Sequence, residues 1–343
     1  MVDDNPSNIV TLPFLAATRA ASAPARGRFG LLFGGSPAMQ DVYRRVEKVA
    51  PTSATVLVTG ESGSGKEVVA RTIHDRSERA SAPFVAVNCG AIPSNLIEAE
   101  LFGYEKGAFT GAARLHRGCF ERAEGGTLFL DEITEMAPEM QVRLLRVLET
   151  QRFMRVGGEQ EIRARVRIIA ATNRDPRQAV QDGHLREDLM YRLAVFPIAL
   201  PPLREREGDT ELLAEHFLRQ LNDVEGTAKA FSRQAVATLR AHRWPGNVRE
   251  LKNAVHRAFI LADADAAVEM DFASIDCTAP VGDCLRIPVG TPLADIERQA
   301  IYATLDLNDG NKRRCAEMLG VSLKTLYNRL AEYQSGGAGV ATV

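Results

Sequence analysis

Short apolar runs alternate with amphipathic stretches along residues 55–199. Each run is rich in β-branched or apolar residues and is followed closely by Gly, Asn, Asp or Pro, a pattern typical of buried parallel strands. The runs are Thr55–Thr59, Phe84–Val87, Thr127–Leu130, Val166–Ala171 and Val195–Ala199. Because strands that alternate with helices build βαβ units, we predict an α/β domain with a parallel sheet over residues 29–205.

The pattern changes after residue 205. Residues 206–271 carry apolar side chains at helical spacing and no strand pattern, and they predict a helical subdomain. Residues 272–290 contain prolines and turn residues and predict a linker, and residues 291–335 predict a separate all-α domain. Residues 1–28 and 336–343 show no sustained period and predict flexible tails.

Composition and charge narrow the class of protein. The 343 residues are 45% hydrophobic and 25% charged, which is typical of soluble globular domains. The formal net charge is −2, so any DNA contact must be local. No run of about 18 apolar residues is present, and no basic leader precedes an apolar segment, so we expect a cytoplasmic protein. The scattered cysteines form no CxxC, and the histidines form no HExxH, which argues against a disulfide framework or a protein-built metal centre.

The first predicted strand leads directly into a G-x-x-x-x-G-K loop. Its glycines allow backbone N–H groups to surround a phosphate, and Lys66 adds a positive charge. Glu67 stands where many such loops carry a hydroxyl that binds Mg²⁺. The sequence therefore predicts an ATP-binding loop formed by Gly60, Glu61, Ser62, Gly63, Ser64, Gly65, Lys66 and Glu67.

The third predicted strand, Thr127–Leu130, ends in two carboxylates. An apolar strand that delivers Asp131 and Glu132 at its end is typical of the second half of a nucleotide site. We predict that Asp131 binds Mg²⁺ together with the nucleotide and that Glu132 polarises the attacking water.

Four motifs together resemble those of a known family. They are GESGSGKE in the phosphate loop, GAFTGA at 107–112, LFLDE at 128–132, and WPGNVREL at 244–251. The chain resembles the bacterial sigma-54-dependent transcription activators, also called enhancer-binding proteins, over residues 33–333. The GAFTGA hexapeptide is specific to that family. The resemblance implies an AAA+ ATPase with a helical lid, which uses ATP and Mg²⁺ and assembles from dimers into a hexameric ring.

The resemblance also implies roles for residues at the strand ends. Asn88 would restrain the catalytic Glu132 until the nucleotide state releases it. Thr172 and Asn173 would form the first sensor of the γ-phosphate.

Three arginines receive roles in the same way. Arg186 and Arg192 resemble arginine fingers that reach the ATP of a neighbouring subunit, and Arg249 resembles the second sensor on the lid. Phosphoryl transfer is catalysed mainly by positioning and by neutralising charge, where an arginine finger contributes about 10³–10⁵ in rate.

The hexapeptide combines mobility with an aromatic side chain. Its glycines permit a tight loop, and an exposed Phe109 is unfavourable unless it meets a partner. The alternative is a hairpin with Phe109 packed into the core. The resemblance implies contact with the sigma factor and promoter DNA through Gly107, Ala108, Phe109, Thr110, Gly111 and Ala112. Residues 152–159 resemble the second surface loop of the family.

The C-terminal segment predicts a helix-turn-helix. Thr291 as cap and Pro292 as first helical residue predict the start of its first helix. In the last helix we expect an inward face of Leu323, Leu326, Tyr327 and Leu330. Residues 312–333 carry a net charge of +3, and the segment resembles a Fis-type DNA-binding domain. The candidate DNA-binding residues are Lys312, Arg313, Ser322, Lys324, Thr325, Asn328 and Arg329.

These observations favour an ATPase that remodels sigma-54 RNA polymerase while bound to upstream double-stranded DNA. Two alternatives come from other classes. One is a DNA-binding regulator that uses nucleotide only for assembly, and the other is a DNA-processing AAA+ motor. The intact Glu132 and hexapeptide disfavour the first alternative, and the hexapeptide and the helix-turn-helix disfavour the second.

The residues before the predicted ATPase are too few for a receiver domain of ordinary size. We therefore expect control by expression level or by a repressor protein in trans, rather than by phosphorylation in cis.

Overall fold

A computed structural model describes residues 27–93, 96–263, 267–270, 290–308 and 310–335. The predicted linker and C-terminal tail lie outside the described residues, except for Gly290, as does the N-terminal tail up to residue 26. Arg28, assigned to that tail, begins the first strand instead. The chain divides into two compact units at residue 271.

The first unit contains nine strands and ten helices within its described residues. The elements up to the acidic strand end are β1 Arg28–Phe29, β2 Leu32–Phe33, α1 Pro37–Val49, β3 Val56–Thr59, α2 Lys66–Asp75, β4 Phe84–Asn88, α3 Ile97–Phe102, α4 Cys119–Arg122 and β5 Thr127–Asp131. The remaining elements of the core are α5 Pro138–Thr150, β6 Arg152–Met154, β7 Glu161–Arg163, β8 Arg167–Thr172, α6 Pro176–Gln181, α7 Glu187–Leu193 and β9 Phe196–Ala199. The lid comprises α8 Asp209–Glu225, α9 Arg233–Ala241 and α10 Asn247–Leu261.

The central sheet has the strand order β4-β5-β8-β3-β9, and all its pairings are parallel. Successive residues of each strand point to opposite faces, so the strands contribute to two separate cores. Leu57 and Leu128 pack on the side of α3, α5 and α7, whereas Val58 and Phe129 pack on the side of α1 and α2. Each predicted strand agrees with the observed one to within one residue. The predicted fold class is confirmed.

The lid is joined to the core through a buried carboxylate. Asp209 accepts hydrogen bonds from the backbone N–H groups of Gly35 and Ser36, at 2.6 and 3.0 Å, and from the Ser36 hydroxyl at 2.8 Å. A Cβ atom on Gly34 would lie 2.6 Å from an Asp209 oxygen, so only glycine fits there. This contact fixes the first turn of α8 against the start of α1.

One detail differs from the prediction. The segment 152–159 is not only a loop, because β6 and β7 form an antiparallel hairpin around it. Within the described residues, no helix is both long enough and apolar enough to span a membrane.

The second unit consists of α11 Leu293–Leu307, α12 Lys312–Met318 and α13 Leu323–Ser335. Its core contains Ile301, Leu305, Cys315, Ala316, Leu326 and Leu330. The predicted inward positions of Leu323 and Tyr327 are wrong, because their side chains are 41% and 50% exposed. The small core reaches only one stripe of α13. The first helix also begins one residue later than predicted, with Pro292 as its cap.

Candidate nucleotide site and partner-binding loops

The phosphate loop has the backbone that an anion cradle requires. Gly60, Gly63 and Gly65 all have positive φ angles, of 154°, 75° and 106°. The loop ends at α2, whose first residue is Lys66. The Lys66 ammonium donates hydrogen bonds to the carbonyl oxygens of Gly60 at 2.8 Å and Glu61 at 3.2 Å. Burial lowers the pKa of Lys66, while Asp131 and Glu132 act in the opposite direction.

The chemistry of the loop fits a nucleotide phosphate. The Ser64 hydroxyl is buried and has no hydrogen-bond partner, and the space beside Gly65 is open to 4 Å. Loop N–H groups and a helix N-terminus favour a bound anion. No cluster of three or more His, Cys, Asp or Glu side chains that could hold a metal ion occurs among the described residues.

Asn88 and the acidic pair lie on neighbouring strand ends. Asn88 of β4 is in register with Asp131 of β5. The Asn88 side-chain oxygen accepts hydrogen bonds from the N–H groups of Gly90 and Ala91, at 2.8 and 3.0 Å. A Cβ atom on Gly90 would lie 2.6 Å from a Glu132 carboxylate oxygen, so Glu132 rests against the turn that Asn88 holds. Glu132 itself has a positive φ of 53°, an unfavourable conformation for this residue type.

The predicted sensor residues follow β8. Thr172 is buried, and its hydroxyl lies 3.2 Å from the Thr134 hydroxyl and accepts from the N–H of Arg174 at 3.1 Å. Asn173 lines a cleft of about 360 Å³ together with Glu132. The structure thus brings Asn173 and Glu132 to one cavity.

The predicted arginine fingers lie elsewhere. Arg186 pairs with Asp188 at 2.8 Å, and Arg192 donates to the carbonyl oxygen of Leu148 at 3.0 Å. Neither side chain makes a hydrogen bond or ion pair with the phosphate loop in the part of the chain that the structure describes. The site of a single chain therefore lacks their charge.

Arg249 contacts the phosphate loop from the lid. Its backbone N–H donates to the Gly63 carbonyl, and its guanidinium donates to the Ser62 hydroxyl, both at 3.2 Å. A Cβ atom on Gly63 would lie 2.4 Å from the Gly246 carbonyl oxygen, so the lid and the loop approach as closely as glycine allows.

Two side chains that the sequence did not single out join the lid to the loop. Asn247 is fully buried, and its oxygen accepts from the Leu203 N–H at 2.8 Å. Its side-chain N–H₂ group donates to the Glu61 carboxylate at 3.0 Å and to the Ser62 carbonyl at 3.1 Å. Arg204 forms a two-pronged pair with Glu61 at 2.6 and 2.8 Å. Hydrogen bonds from Arg204 and then Asn247 lower the pKa of Glu61 to about 2.

A third such residue is Arg206, which is buried beside the loop. Its guanidinium donates to the carbonyl oxygens of Ser64 at 2.9 Å and Pro201 at 2.8 Å, and burial lowers its pKa to about 10. In the sequence, Arg204 and Arg206 belong to a polar run typical of solvated surface. The WPGNVREL motif at 244–251 includes Asn247 but does not predict its partners.

The hexapeptide loop is exposed. It is closed by hydrogen bonds from the Gly107 N–H to the Ala112 carbonyl at 2.8 Å and from the Ala112 N–H to the Phe109 carbonyl at 3.0 Å. Phe109 is 43% exposed and meets the ring of Tyr104 edge-on at 4.9 Å. The alternative in which Phe109 packs into the core is therefore wrong.

The second loop supports the base of the first. A Cβ atom on Gly157 would lie 2.8 Å from the Ala108 methyl group. Arg155 anchors this contact through ion pairs with Glu105 and Glu121, both at 2.7 Å. One loop thus lies directly on the other.

The helix-turn-helix presents part of the predicted DNA-binding set. Lys324, Thr325 and Asn328 are exposed on α13, whereas Arg329 pairs with Glu297 at 3.1 Å and Glu332 at 3.2 Å. These carboxylates offset part of the charge of Arg329, and its role in DNA binding stays a prediction.

The other predicted DNA contacts surround the turn. The Ser322 hydroxyl accepts from the Thr325 N–H at 3.0 Å and caps α13. The Lys312 ammonium lies 4.9 Å from the centre of the Tyr327 ring. Arg313 is exposed, and its Nε atom lies 3.7 Å from a carboxylate oxygen of Glu317.

Comparisons with known proteins match all three regions. Residues 32–199 match the sigma-54 interaction domain, residues 204–274 the AAA+ ATPase lid domain, and residues 292–333 bacterial regulatory proteins of the Fis family. The chain is 47% identical over 320 residues to the transcriptional regulatory protein FlbD of Caulobacter vibrioides, covering 89% of this chain and 70% of FlbD. It is 44% identical over 315 residues to the regulatory protein AtoC of Escherichia coli, covering 89% of this chain and 68% of AtoC. The crystal structure of NtrX from Brucella abortus in complex with ATP has a TM-score of 0.67 at 38% identity, covering 89% of this chain and 69% of NtrX.

Proposed function

Because the chain belongs to the sigma-54-dependent transcription activators, a family of AAA+ ATPases, we propose that it hydrolyses ATP to drive promoter opening by sigma-54 RNA polymerase. One observation carries this proposal. The same domain holds a phosphate loop beside Glu132 and an exposed hexapeptide with an aromatic tip. The first part supplies energy from ATP, and the second offers a surface for a partner.

In this proposal the residues of one chain bind and orient the nucleotide. Lys66 leaves the loop carbonyls for the phosphates, and the loop N–H groups hold the phosphate oxygens. Asp131 would hold Mg²⁺, which when bound neutralises phosphate charge. Glu132 orients the attacking water, and Asn88 holds the turn against which Glu132 rests. Thr172, at the end of β8, and Asn173, which lines a cleft together with Glu132, would sense the γ-phosphate.

The site is completed by a second copy of the chain. Arg186 lies just before α7 and Arg192 lies on it, away from their own phosphate loop. Both would reach the nucleotide of a neighbouring subunit. This arrangement requires a closed ring, which we propose to be a hexamer. Arg249 would contact the nucleotide of its own chain, because it already lies against the loop.

Two surfaces would connect hydrolysis to transcription. The loop 107–112 would contact the sigma factor and promoter DNA, and the second loop, which supports it, would shift with it. The exposed side chains Lys324, Thr325 and Asn328 of the helix-turn-helix would bind upstream DNA in the major groove.

The decisive test is Thr110→Ala. Neither an exposed threonine nor Phe109 performs phosphoryl transfer, so the ATPase rate should remain within about threefold of that of the unaltered chain. Open-complex formation on a sigma-54 promoter should be lost. Thr238→Ala, on an exposed face of the lid, serves as the matched control and should retain both activities. Normal promoter opening by Thr110→Ala would refute the role of the loop.

A further inference from the structure

We propose that Glu61, Arg204 and Asn247 form a relay that transmits the state of the phosphate loop to the lid. This inference rests on the nucleotide binding proposed above and adds to it a positioning role. The three residues would not touch the reacting atoms. They would set the angle of the lid in response to occupancy of the loop.

The relay begins at the backbone of Glu61. In the structure, the Lys66 ammonium donates to the carbonyl oxygens of Gly60 and Glu61. A bound phosphate would draw the Lys66 ammonium away from these carbonyls, because an anionic phosphate oxygen is a stronger hydrogen-bond acceptor than a neutral carbonyl oxygen. The residue that loses this contact is the same residue whose carboxylate holds the lid. A phosphate that binds in the loop would therefore change the hydrogen bonding of Glu61 directly.

The relay ends at two segments, the connection that follows β9 and the start of the last lid helix, α10. Arg204 lies in the single helical turn Leu203–Glu205 that follows β9, and it grips both carboxylate oxygens of Glu61. Asn247 begins α10 and donates to the same carboxylate. The oxygen of Asn247 also accepts from the Leu203 N–H, so the connection after β9 and the start of α10 are bonded to each other as well as to Glu61.

The form of the contact favours orientation over stability. The Arg204 and Glu61 side chains are 43% and 40% exposed, and an exposed ion pair contributes little to folding. A two-pronged arginine–carboxylate pair, however, fixes the relative orientation of its partners. A phosphate that enters the loop also acts on the charges of the Glu61 carboxylate and the Arg204 guanidinium, which solvent partly screens. Arg204 therefore experiences the charge that enters the loop.

The chain contains its own reporter of the lid. Trp244 is its single tryptophan, is buried in the turn before α10, and donates to the Leu239 carbonyl at 3.0 Å. The experiment titrates the full chain with MgADP. Calorimetry gives the affinity and the bound fraction, and Trp244 emission at saturation gives the response of the lid. The unaltered chain should bind MgADP and change its emission.

The main variant is Arg204→Gln. Its affinity for MgADP should stay within about threefold of the original, while its emission change at saturation falls below about half. Arg165→Gln removes a comparable exposed pair, with Glu124, and should alter neither quantity. A full emission change in Arg204→Gln would overturn the relay. So would a loss of affinity greater than about tenfold, because Arg204 would then act on binding itself.

A second variant tests whether the residues act as one unit. Glu61→Gln should also reduce the emission change per bound MgADP. The emission change of the double variant, Arg204→Gln with Glu61→Gln, should be no smaller than that of either single variant. Independent, additive losses would overturn the relay. If the unaltered chain bound no MgADP, the proposed function itself would fail. Binding without any emission change would overturn the relay alone.

Discussion

Replacement of Asn247 by alanine should destabilise the lid strongly. The Leu203 N–H would lose its partner in a buried place, which costs about 1–3 kcal/mol, and the lost hydrogen bond to a carboxylate costs about 1.5 kcal/mol or more. Asn247 also has a φ of 55°, a left-handed conformation that disfavours alanine by about 1–2 kcal/mol. The free energy of unfolding should therefore fall by roughly 3.5–6.5 kcal/mol.

Urea denaturation followed by Trp244 emission measures this change, since Trp244 is buried in the same turn. Asn247→Gly loses the same hydrogen bonds but tolerates the positive φ, so it should be milder than Asn247→Ala by about 1 kcal/mol. Gln234→Ala, on the exposed surface of α9, is the control and should stay within about 0.5 kcal/mol. A loss below about 1 kcal/mol for Asn247→Ala would refute the argument from buried hydrogen bonds. Equal losses for alanine and glycine would refute the backbone argument.

Three other predictions follow from the site, the second unit and a buried histidine. Mixing Arg192→Ala with Glu132→Ala subunits should restore part of the ATPase activity, and no rescue in rings shown to be mixed would contradict shared sites. Lys324→Ala should weaken binding to a mapped genomic DNA site and reduce the slope of the logarithm of the binding constant against the logarithm of salt concentration by about 1. Arg329→Ala should change this slope less, because Arg329 is already paired with Glu297 and Glu332. Equal changes in the two variants would contradict this prediction. Burial lowers the pKa of His74, so the unfolded chain binds a proton at His74 more readily, and the free energy of unfolding should fall as the pH drops below about 6.5. His74→Gln should weaken the dependence of the urea midpoint on pH in this range. An unchanged dependence would refute the role of His74.

The sequence by itself determined the sheet and the chemistry at its edge. Buried parallel strands are covered on both faces, so they are encoded as continuous apolar runs that can be found without knowing their neighbours. The phosphate loop is likewise local, because its glycines and Lys66 are consecutive. The carboxyl ends of parallel strands meet at one edge, so the strand assignment placed Asn88 and Asp131 at the same edge, whereas the strand order that makes them neighbours came from the structure.

Only the tertiary structure decided the contacts between distant segments. Glu61 meets Arg204 across 143 positions and Asn247 across 186, and no local period encodes such a pair. The same reasoning applies to α13. The spacing of its apolar residues predicts an apolar stripe along the helix, but it does not predict how many residues of that stripe are buried. The two other described helices of the unit, α11 and α12, cover Leu326 and Leu330 and leave Leu323 and Tyr327 exposed. Helical periodicity is a property of one segment, whereas burial depends on how much surface the neighbouring segments supply.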